Sequence, residues 1–187
     1  MQIAYELIRS RRKTLTLQIR DGKVIVRAPM HTGEKTVERF VQSNERWIRN
    51  RLAKEAAAEQ SASEQGFLSD AELRSLAAQA KRILPQRVAL YAERIGVSYG
   101  RITVRTQQTR WGSCSAKGNL SFNCLLMLAP LEVLDSVIVH ELCHRKQMNH
   151  SARFYSEVYR AYPDYDRWHD WLKTNGGILL RRAGKRG

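Results

Sequence analysis

Two histidines and a glutamate stand at a spacing that suits a metal centre, in the segment His140-Glu141-Leu142-Cys143-His144. An α-helix advances about 100° per residue, so side chains four residues apart lie on one face, one turn apart. The imidazoles of His140 and His144 can therefore point at one ion and fill two corners of a tetrahedral zinc site. Glu141 lies one step round the helix, close to such an ion without having to bind it, which is where a general base must be.

A third histidine, His150, follows at the ligand spacing of the motif H-E-x-x-H-x-x-G-x-x-H. A continuous helix would point His150 away from the other two, so the chain must turn near Gln147–Asn149, and Asn149 tolerates the left-handed conformation that such a turn can use. We expect about one zinc per chain, held by three histidines with an open fourth position. Glu157 is the rival third ligand, because a carboxylate on the next helix could also reach the metal.

The chemistry expected of this centre is hydrolysis by an activated water. Zinc lowers the pKa of a bound water from about 15.7 toward about 7, which provides a nucleophile at neutral pH. Glu141 would accept the proton and pass it to the leaving amine, while zinc polarises the scissile carbonyl.

Two other interpretations of the same residues stay open at this point. The histidines could form a solvated or core cluster without a metal. Cys114, Cys124 and Cys143 could instead form a structural zinc site with a histidine. No C-x-x-C pair supports that site, and Cys143 lies on a different helix face from His140 and His144.

The sequence does not identify substrate-binding residues, but three features bear on them. We expect Trp111, in a turn with glycine and serine, to anchor its loop rather than line a cleft. Asn123 ends a strand leading towards the active helix and is a candidate for binding substrate backbone. An extended peptide could also pair with the edge of the strand near Leu120–Asn123, since backbone hydrogen bonds need no particular substrate sequence.

The elements around the motif are predicted from hydrophobic period and end signals. The run Val137-Ile138-Val139 indicates a buried helix with Asp135 as its N-cap, where two histidines and a glutamate would be costly without a shared partner. Strands are expected over 101–106 and 119–124. Two helices should follow, one from near Ser151 to Pro163 and one from about Asp164 to Lys173, stopping at Asn175-Gly176-Gly177.

The N-terminal part should form a separate subdomain of strands and a helix. Residues 1–30 alternate as strands, with Asp21-Gly22 as a hairpin turn, and a helix is expected from Thr32, with apolar positions through Leu52 before it fades into the next stretch. The Ala-, Glu- and Ser-rich stretch 55–65 is the best linker candidate. We therefore expect an α+β fold with two domains, an N-terminal hairpin and helix over 1–60 and the metal-binding domain over 66–187. The second domain should open with the capping box Ser69-Asp70-Ala71-Glu72 on a helix that ends at Gly96.

Composition bounds location and partners. The chain has 187 residues and is 43% hydrophobic, enough for a real core. The sequence shows no signal-peptide pattern and no stretch of about 20 apolar residues, and its three cysteines are expected to be free thiols. We therefore expect a cytoplasmic protein without a membrane span. The formal charge of +14 favours polyanionic partners. Weak, non-specific nucleic-acid binding through Arg9, Arg11, Arg12, Lys13 and the 181–186 tail is as reasonable as a merely solvated basic surface.

Four stretches carry a resemblance to a known family: Arg110-Trp111-Gly112-Ser113-Cys114-Ser115, Asn119-Leu120-Ser121-Phe122-Asn123, Val137 to His144, and Asn149-His150-Ser151 with Phe154. In combination they resemble the YgjP-like metallopeptidases, a group similar to the SprT-like and WLM-type zinc peptidases. The resemblance extends to the N-terminal hairpin and the Trp47 helix. It implies that His140, His144 and His150 bind zinc, that Glu141 is the general base, and that the fold is a minimal zincin with a small sheet, an active-site helix and a following helix.

The resemblance has two departures. Gln147 replaces the glycine of the metzincin motif and no methionine turn follows, so metzincin geometry is not expected. Tyr155 stands where this family often has tryptophan, which should affect packing more than chemistry.

The sequence thus predicts a zinc-dependent metallopeptidase acting on a peptide or protein substrate through a zinc-activated water, with Glu141 as general base. One alternative comes from another class, a nucleic-acid-binding zinc protein. The other is a hybrid, a peptidase that acts on proteins bound to nucleic acid.

Overall fold

A computed structural model describes residues 3–184 of the chain. By its internal contacts the chain divides into two compact units, between Ser61 and Ala62. The predicted domain ranges, 1–60 and 66–187, stay a prediction, because compactness does not show that either part folds alone.

The first unit contains a three-stranded sheet of β1 (Glu6–Ser10), β2 (Thr16–Arg20) and β3 (Lys23–Pro29) in the order β1-β3-β2. Strands β2 and β3 form the predicted hairpin, since they pair antiparallel from Arg20 opposite Lys23. The turn residues Asp21 and Gly22 have φ of 54° and 72°. Two consecutive positive φ values are what a two-residue hairpin turn of the favoured twist requires, which explains the Asp-Gly pair.

Two helices follow this sheet, α1 (Glu34–Ser43) and α2 (Glu45–Gln65). The prediction of a single helix was wrong, because the chain leaves the helical path at Asn44 before the second helix begins. The linker expected at 55–65 is helical throughout. Alanine and glutamate are strong helix formers, so this composition favours a helix over a flexible connection. The core of the unit is aliphatic: Val24, Val26, Ala28, Val37, Val41 and Ile48.

The second unit opens with α3 (Asp70–Ile95), whose predicted capping box is present at Ser69 and Glu72 and whose end is Gly96 in the left-handed conformation. Its sheet contains β4 (Ile102–Arg105), β5 (Gly112–Cys114) and β6 (Leu120–Asn123) in the order β4-β6-β5. Strand β6 is central, parallel to β4 and antiparallel to β5. A short 3-10 turn, Cys124–Leu128, leads out of the sheet.

Three helices complete this unit: α4 (Leu131–Cys143), α5 (Ala152–Ala161) and α6 (Tyr165–Arg182). Helix α4 begins after Pro130, so the expectation that Asp135 caps it was wrong. Asp135 is buried within the helix, where it accepts hydrogen bonds from the Arg87 guanidinium and from the Tyr91 hydroxyl at 3.0 Å. These two partners, both on α3, satisfy the hydrogen-bonding needs of the buried Asp135 carboxylate, and the contact holds α4 against α3.

The predicted stop of the last helix at Asn175–Gly177 was also wrong, since α6 continues to Arg182. Gly176 packs against the indole of Trp111: a Cβ on this glycine would lie 2.9 Å from the ring. Glycine is a poor helix former, but here its lack of a side chain permits close packing that outweighs the local cost of about 1 kcal/mol.

The second unit is therefore α+β, with the arrangement that the resemblance implies: the HExxH helix α4 lies beside a small sheet and is followed by further helices. Its core is lined by β6 and α4, with Leu120, Phe122, Ile138, Val139 and Leu142 almost fully buried. Within residues 3–184, no helix is long and apolar enough to cross a membrane.

The basic residues singled out in the sequence have unequal surroundings. The Arg9 guanidinium donates to the backbone carbonyls of Pro29, Met30 and Thr32, so it holds the loop after β3 and is a poor phosphate ligand. Arg182 similarly donates to the Gly66 carbonyl. Lys185 and Arg186 lie outside the described residues. Arg11 and Lys13 are the exposed members of the N-terminal run.

Candidate metal centre

His140, His144 and His150 converge on one point. One nitrogen from each ring lies within 4.8 Å of the others, and the Nε2 atoms of His140 and His150 are 3.0 Å apart. Tetrahedral zinc with Zn–N bonds near 2.0–2.1 Å needs nitrogens separated by about 3.3 Å, so the His140–His150 pair is close to that separation and the cluster as a whole would have to draw in by at most about 1.5 Å. Phe154, fully buried at the start of α5, lies beneath all three rings with centroid distances of 5.0, 4.7 and 4.9 Å.

The predicted change of direction after α4 is present, but its predicted cause was wrong. The helix ends at Cys143, and the next residues form tight turns in which the N–H groups of Lys146 and Gln147 both donate to the Cys143 carbonyl. Asn149 does not use the left-handed region, since Asp21 is the one non-glycine residue with positive φ between residues 3 and 184. Ser151 then caps α5 through the Phe154 N–H, which brings His150 back to the site.

The second ring nitrogens of two histidines are held by hydrogen bonds. Nδ1 of His144 lies 3.1 Å from the Gln147 carbonyl oxygen, and Nδ1 of His140 lies 2.8 Å from the Tyr165 hydroxyl. A carbonyl only accepts, so Nδ1 of His144 carries the hydrogen and its Nε2 lone pair is free for a metal.

The protonation state of these rings also suits a metal. Burial, reinforced by the neighbouring His144 and His150, lowers the pKa of His140 to about 3. Burial likewise lowers the pKa of His144. Both rings are therefore neutral at physiological pH, and a neutral imidazole is the form that ligates zinc.

Glu141 lies on the side of α4 that faces β5. It is 7% exposed, and burial raises the pKa of its carboxyl to about 7, although the backbone N–H of Cys114 hydrogen-bonds the carboxylate and opposes part of that rise. A Cβ on Gly112 would lie 2.7 Å from both Cγ and Oε1 of Glu141. Gly112 therefore makes room for the glutamate, a role that the sequence analysis missed although it had singled out the Trp111-Gly112 segment.

Comparison with known proteins matches these residues to a family. A family model described as "YgjP-like, metallopeptidase domain" matches residues 13–74 and 70–175. The chain belongs to the YgjP-like metallopeptidase family. It is accordingly a hydrolase that cleaves peptide or protein substrates with a metal, typically zinc.

Two further comparisons add no assignment. A search of curated proteins finds no match. Among solved structures, the chain is similar to the metallopeptidase zymogen of Pyrococcus abyssi abylysin, with 19% identity over 49% of this chain and 93% of that one and a TM-score of 0.46. A likeness at this level assigns neither a ligand nor an activity to this chain.

The rival metal ligands are not at the centre. Glu157 bonds to the Lys146 ammonium at 3.0 Å and the Arg160 guanidinium at 2.6 Å, and it is not in the histidine cluster. No cysteine joins that cluster in the described part of the chain. Cys143 is fully buried, and burial raises the pKa of its thiol to about 12, so it is an apolar core residue rather than a nucleophile.

The suggestion that Asn123 binds substrate does not fit the structure. Its side chain is 1% exposed, donates to the carbonyls of Gln107 and Arg110 at 2.7 and 3.0 Å, and accepts from the Leu125 N–H. Its amide NH2 thus holds the loop before β5, and its oxygen caps the turn that follows β6, so the side chain is fully used within the fold. Trp111 is half-buried against Gly176, the anchoring position that we expected.

The prediction that a substrate pairs with the strand near Leu120–Asn123 was also wrong. Leu120–Asn123 is the central strand β6, with both edges already paired. The edge strand on the α4 side is β5, and its three residues, Gly112–Cys114, contain too little hydrophobic alternation to be recognised from sequence.

Proposed function

We propose that this YgjP-like metallopeptidase holds zinc through His140, His144 and His150 and uses Glu141 as the general base of peptide hydrolysis. The observation that carries the proposal is the convergence of three imidazoles, with His140 and His144 held neutral, next to the buried carboxylate of Glu141. A shared metal would compensate the burial of Glu141 and the partial burial of the two helix histidines.

The roles follow from what each group can do. Zinc in this position supplies a Lewis acid that makes water nucleophilic near neutral pH and polarises the peptide carbonyl. Glu141 takes the proton of the attacking water and delivers it to the departing amine. In the metal-free chain burial raises the pKa of this carboxyl to about 7, and a nearby zinc ion would lower it again, which favours the ionised form that accepts the proton.

Strand β5 supports a position for the substrate. The Trp111 carbonyl accepts from the Asn123 N–H of β6, and the Ser115 N–H donates to the Asn119 carbonyl just before β6. Because backbone groups alternate in direction along a strand, the N–H and C=O groups of Gly112 and Cys114 point to the opposite edge of β5. That edge faces the centre, since the Cys114 N–H there donates to Glu141. An extended peptide added to this edge would present its backbone to Glu141 without requiring a particular sequence.

The direct experiment combines metal analysis of the purified chain with a broad peptide-library cleavage assay. We expect about one zinc per chain and cleavage that stops when a chelator removes the metal and returns when zinc is restored. A chain that binds no zinc, or cleavage that continues without it, would contradict the proposal.

A further inference from the structure

Tyr165 is the first residue of α6 and belongs neither to the HExxH motif nor to the histidine cluster. It is 2% exposed, and its hydroxyl lies 2.8 Å from Nδ1 of His140. Its ring lies nearly parallel to that of His140, at 16° and a centroid distance of 6.1 Å. The ring of His169, one turn further along α6, stacks on Tyr165 at 5.1 Å and 22°.

This hydrogen bond can run in two directions, and they have opposite consequences for a metal. If Nδ1 of His140 donates to the phenol oxygen, the lone pair is on Nε2, the atom that points at His150. If the phenol donates to Nδ1 instead, Nε2 carries the hydrogen and cannot ligate. A phenol hydroxyl can do either, so it does not choose the tautomer by itself; in the form that binds metal it accepts from Nδ1 and holds the orientation of the His140 ring.

The three histidines differ in how they are held. His144 is oriented by the Gln147 backbone carbonyl, which no side-chain substitution removes. His150 is exposed, and within residues 3–184 no partner is found for its Nδ1. Over the same residues, Tyr165 is the one side chain outside the cluster that hydrogen-bonds a histidine of the centre.

We infer that Tyr165 is a positioning residue of the metal centre, which raises zinc affinity by accepting a hydrogen bond from Nδ1 of His140 and holding that ring with Nε2 towards the metal. This inference rests on the proposed function, in which His140 is a ligand. Partners of this kind change metal affinity by about 10- to 100-fold when removed. Tyr165 itself touches neither the metal nor the substrate.

The test compares Tyr165→Phe with Tyr162→Phe. The second variant is the control, because it also removes one tyrosine hydroxyl hydrogen bond, from the half-buried Tyr162 to the Glu132 carbonyl at 3.1 Å, away from the centre. Zinc affinity is measured by competition with a chromophoric chelator, and the thermal midpoint is measured on the metal-free proteins. We expect Tyr165→Phe to bind zinc about 10- to 100-fold more weakly than the parent, while Tyr162→Phe binds like the parent and both lose similar thermal stability.

A second measurement reads the hydrogen bond directly. In the zinc-loaded parent, NMR of the imidazoles should show the Nδ1–H of His140 protected from exchange with water, and Tyr165→Phe should lose that protection. Equal zinc affinity of the parent and Tyr165→Phe, or equally fast exchange of the His140 Nδ1–H in both, would overturn the inference. A parent that binds no zinc at all would instead contradict the proposed function, so the two failures are distinguishable.

Discussion

The two halves of the metal centre are built differently. His140 and His144 come from the end of α4, are half-buried, and each has Nδ1 held by a partner. His150 comes from the loop between α4 and α5 and is exposed. It reaches the centre because Ser151 caps α5 and Phe154 packs beneath the rings. A regular helix thus positions two ligands through its own period, whereas the third depends on the local contacts of a loop.

Removing one ligand from each half should show this difference most clearly. We expect His140→Ala to lose zinc and activity together, whereas His150→Ala should keep measurable zinc with affinity reduced beyond the 10- to 100-fold typical of outer partners. Zinc titration of both variants is the measurement. Glu157→Ala is the control and should bind like the parent, because Glu157 is paired with Lys146 and Arg160. If Glu157→Ala lost zinc while His150→Ala bound it normally, the ligand assignment would be wrong.

The helix half can also be disturbed without touching a ligand. Gly112→Ala would place a methyl group 2.7 Å from Cγ of Glu141 and push its carboxylate out of position. Since a displacement of about 1 Å can cost about 100-fold in rate, we expect a loss of that order with zinc still bound. Gly33→Ala is the matched control, because a Cβ there meets nothing within 4 Å. Full activity in Gly112→Ala would show that the close approach to Glu141 is unimportant.

The buried carboxylate should also affect stability with a definite pH dependence. Burial raises the pKa of Glu141 from an ordinary value of 4.5 to about 7 in the folded, metal-free chain. Ionising Glu141 therefore reduces the free energy of unfolding. The reduction is absent below the pKa of the unfolded chain, 4.5, and reaches its full size above about pH 7. We expect Glu141→Gln to stabilise the metal-free protein at pH 8 by about 3 kcal/mol at most, and by much less at pH 5. Urea unfolding at both pH values measures it, with the exposed Glu132→Gln as control. A gain that is larger at pH 5 would contradict the sign.

The smallest expected effect lies outside both halves. The charge of +14 predicts weak nucleic-acid binding without sequence preference, with Arg11 and Lys13 exposed to contact phosphates. Affinity for labelled single- and double-stranded DNA should fall steeply between about 50 and 200 mM salt. Arg11→Gln with Lys13→Gln should weaken binding, whereas Arg9→Gln should instead loosen the loop after β3. No binding at low salt would remove the alternative of a peptidase for nucleic-acid-bound proteins and leave the zinc chemistry untouched.

What the sequence could predict depends on how local the determinant is. The helix period places His140, Glu141 and His144 together with no tertiary information, and those predictions of geometry agree with the structure. Excluding Glu157 as a metal ligand required the structure, because its carboxylate is held by Lys146 from the turn after α4 and by Arg160 of its own helix.

Other determinants were out of reach because they depend on distant contacts. The order of the second sheet, and hence the edge at β5, is set by a pairing that three short strands do not encode locally. The continuation of α6 through Gly176 depends on the Trp111 ring. Tyr165 is 25 residues from His140, and no motif links them.

The most direct test of the central claim is the turnover of Glu141→Gln with its zinc content measured on the same sample. Glutamine keeps the shape of the side chain but cannot accept the proton, so we expect zinc at the parent level and a rate lower by about 100- to 10,000-fold. Glu132→Gln, the same change in the first turn of α4, should cleave like the parent. Cleavage at the parent rate by zinc-loaded Glu141→Gln would contradict the assignment of Glu141 as the general base.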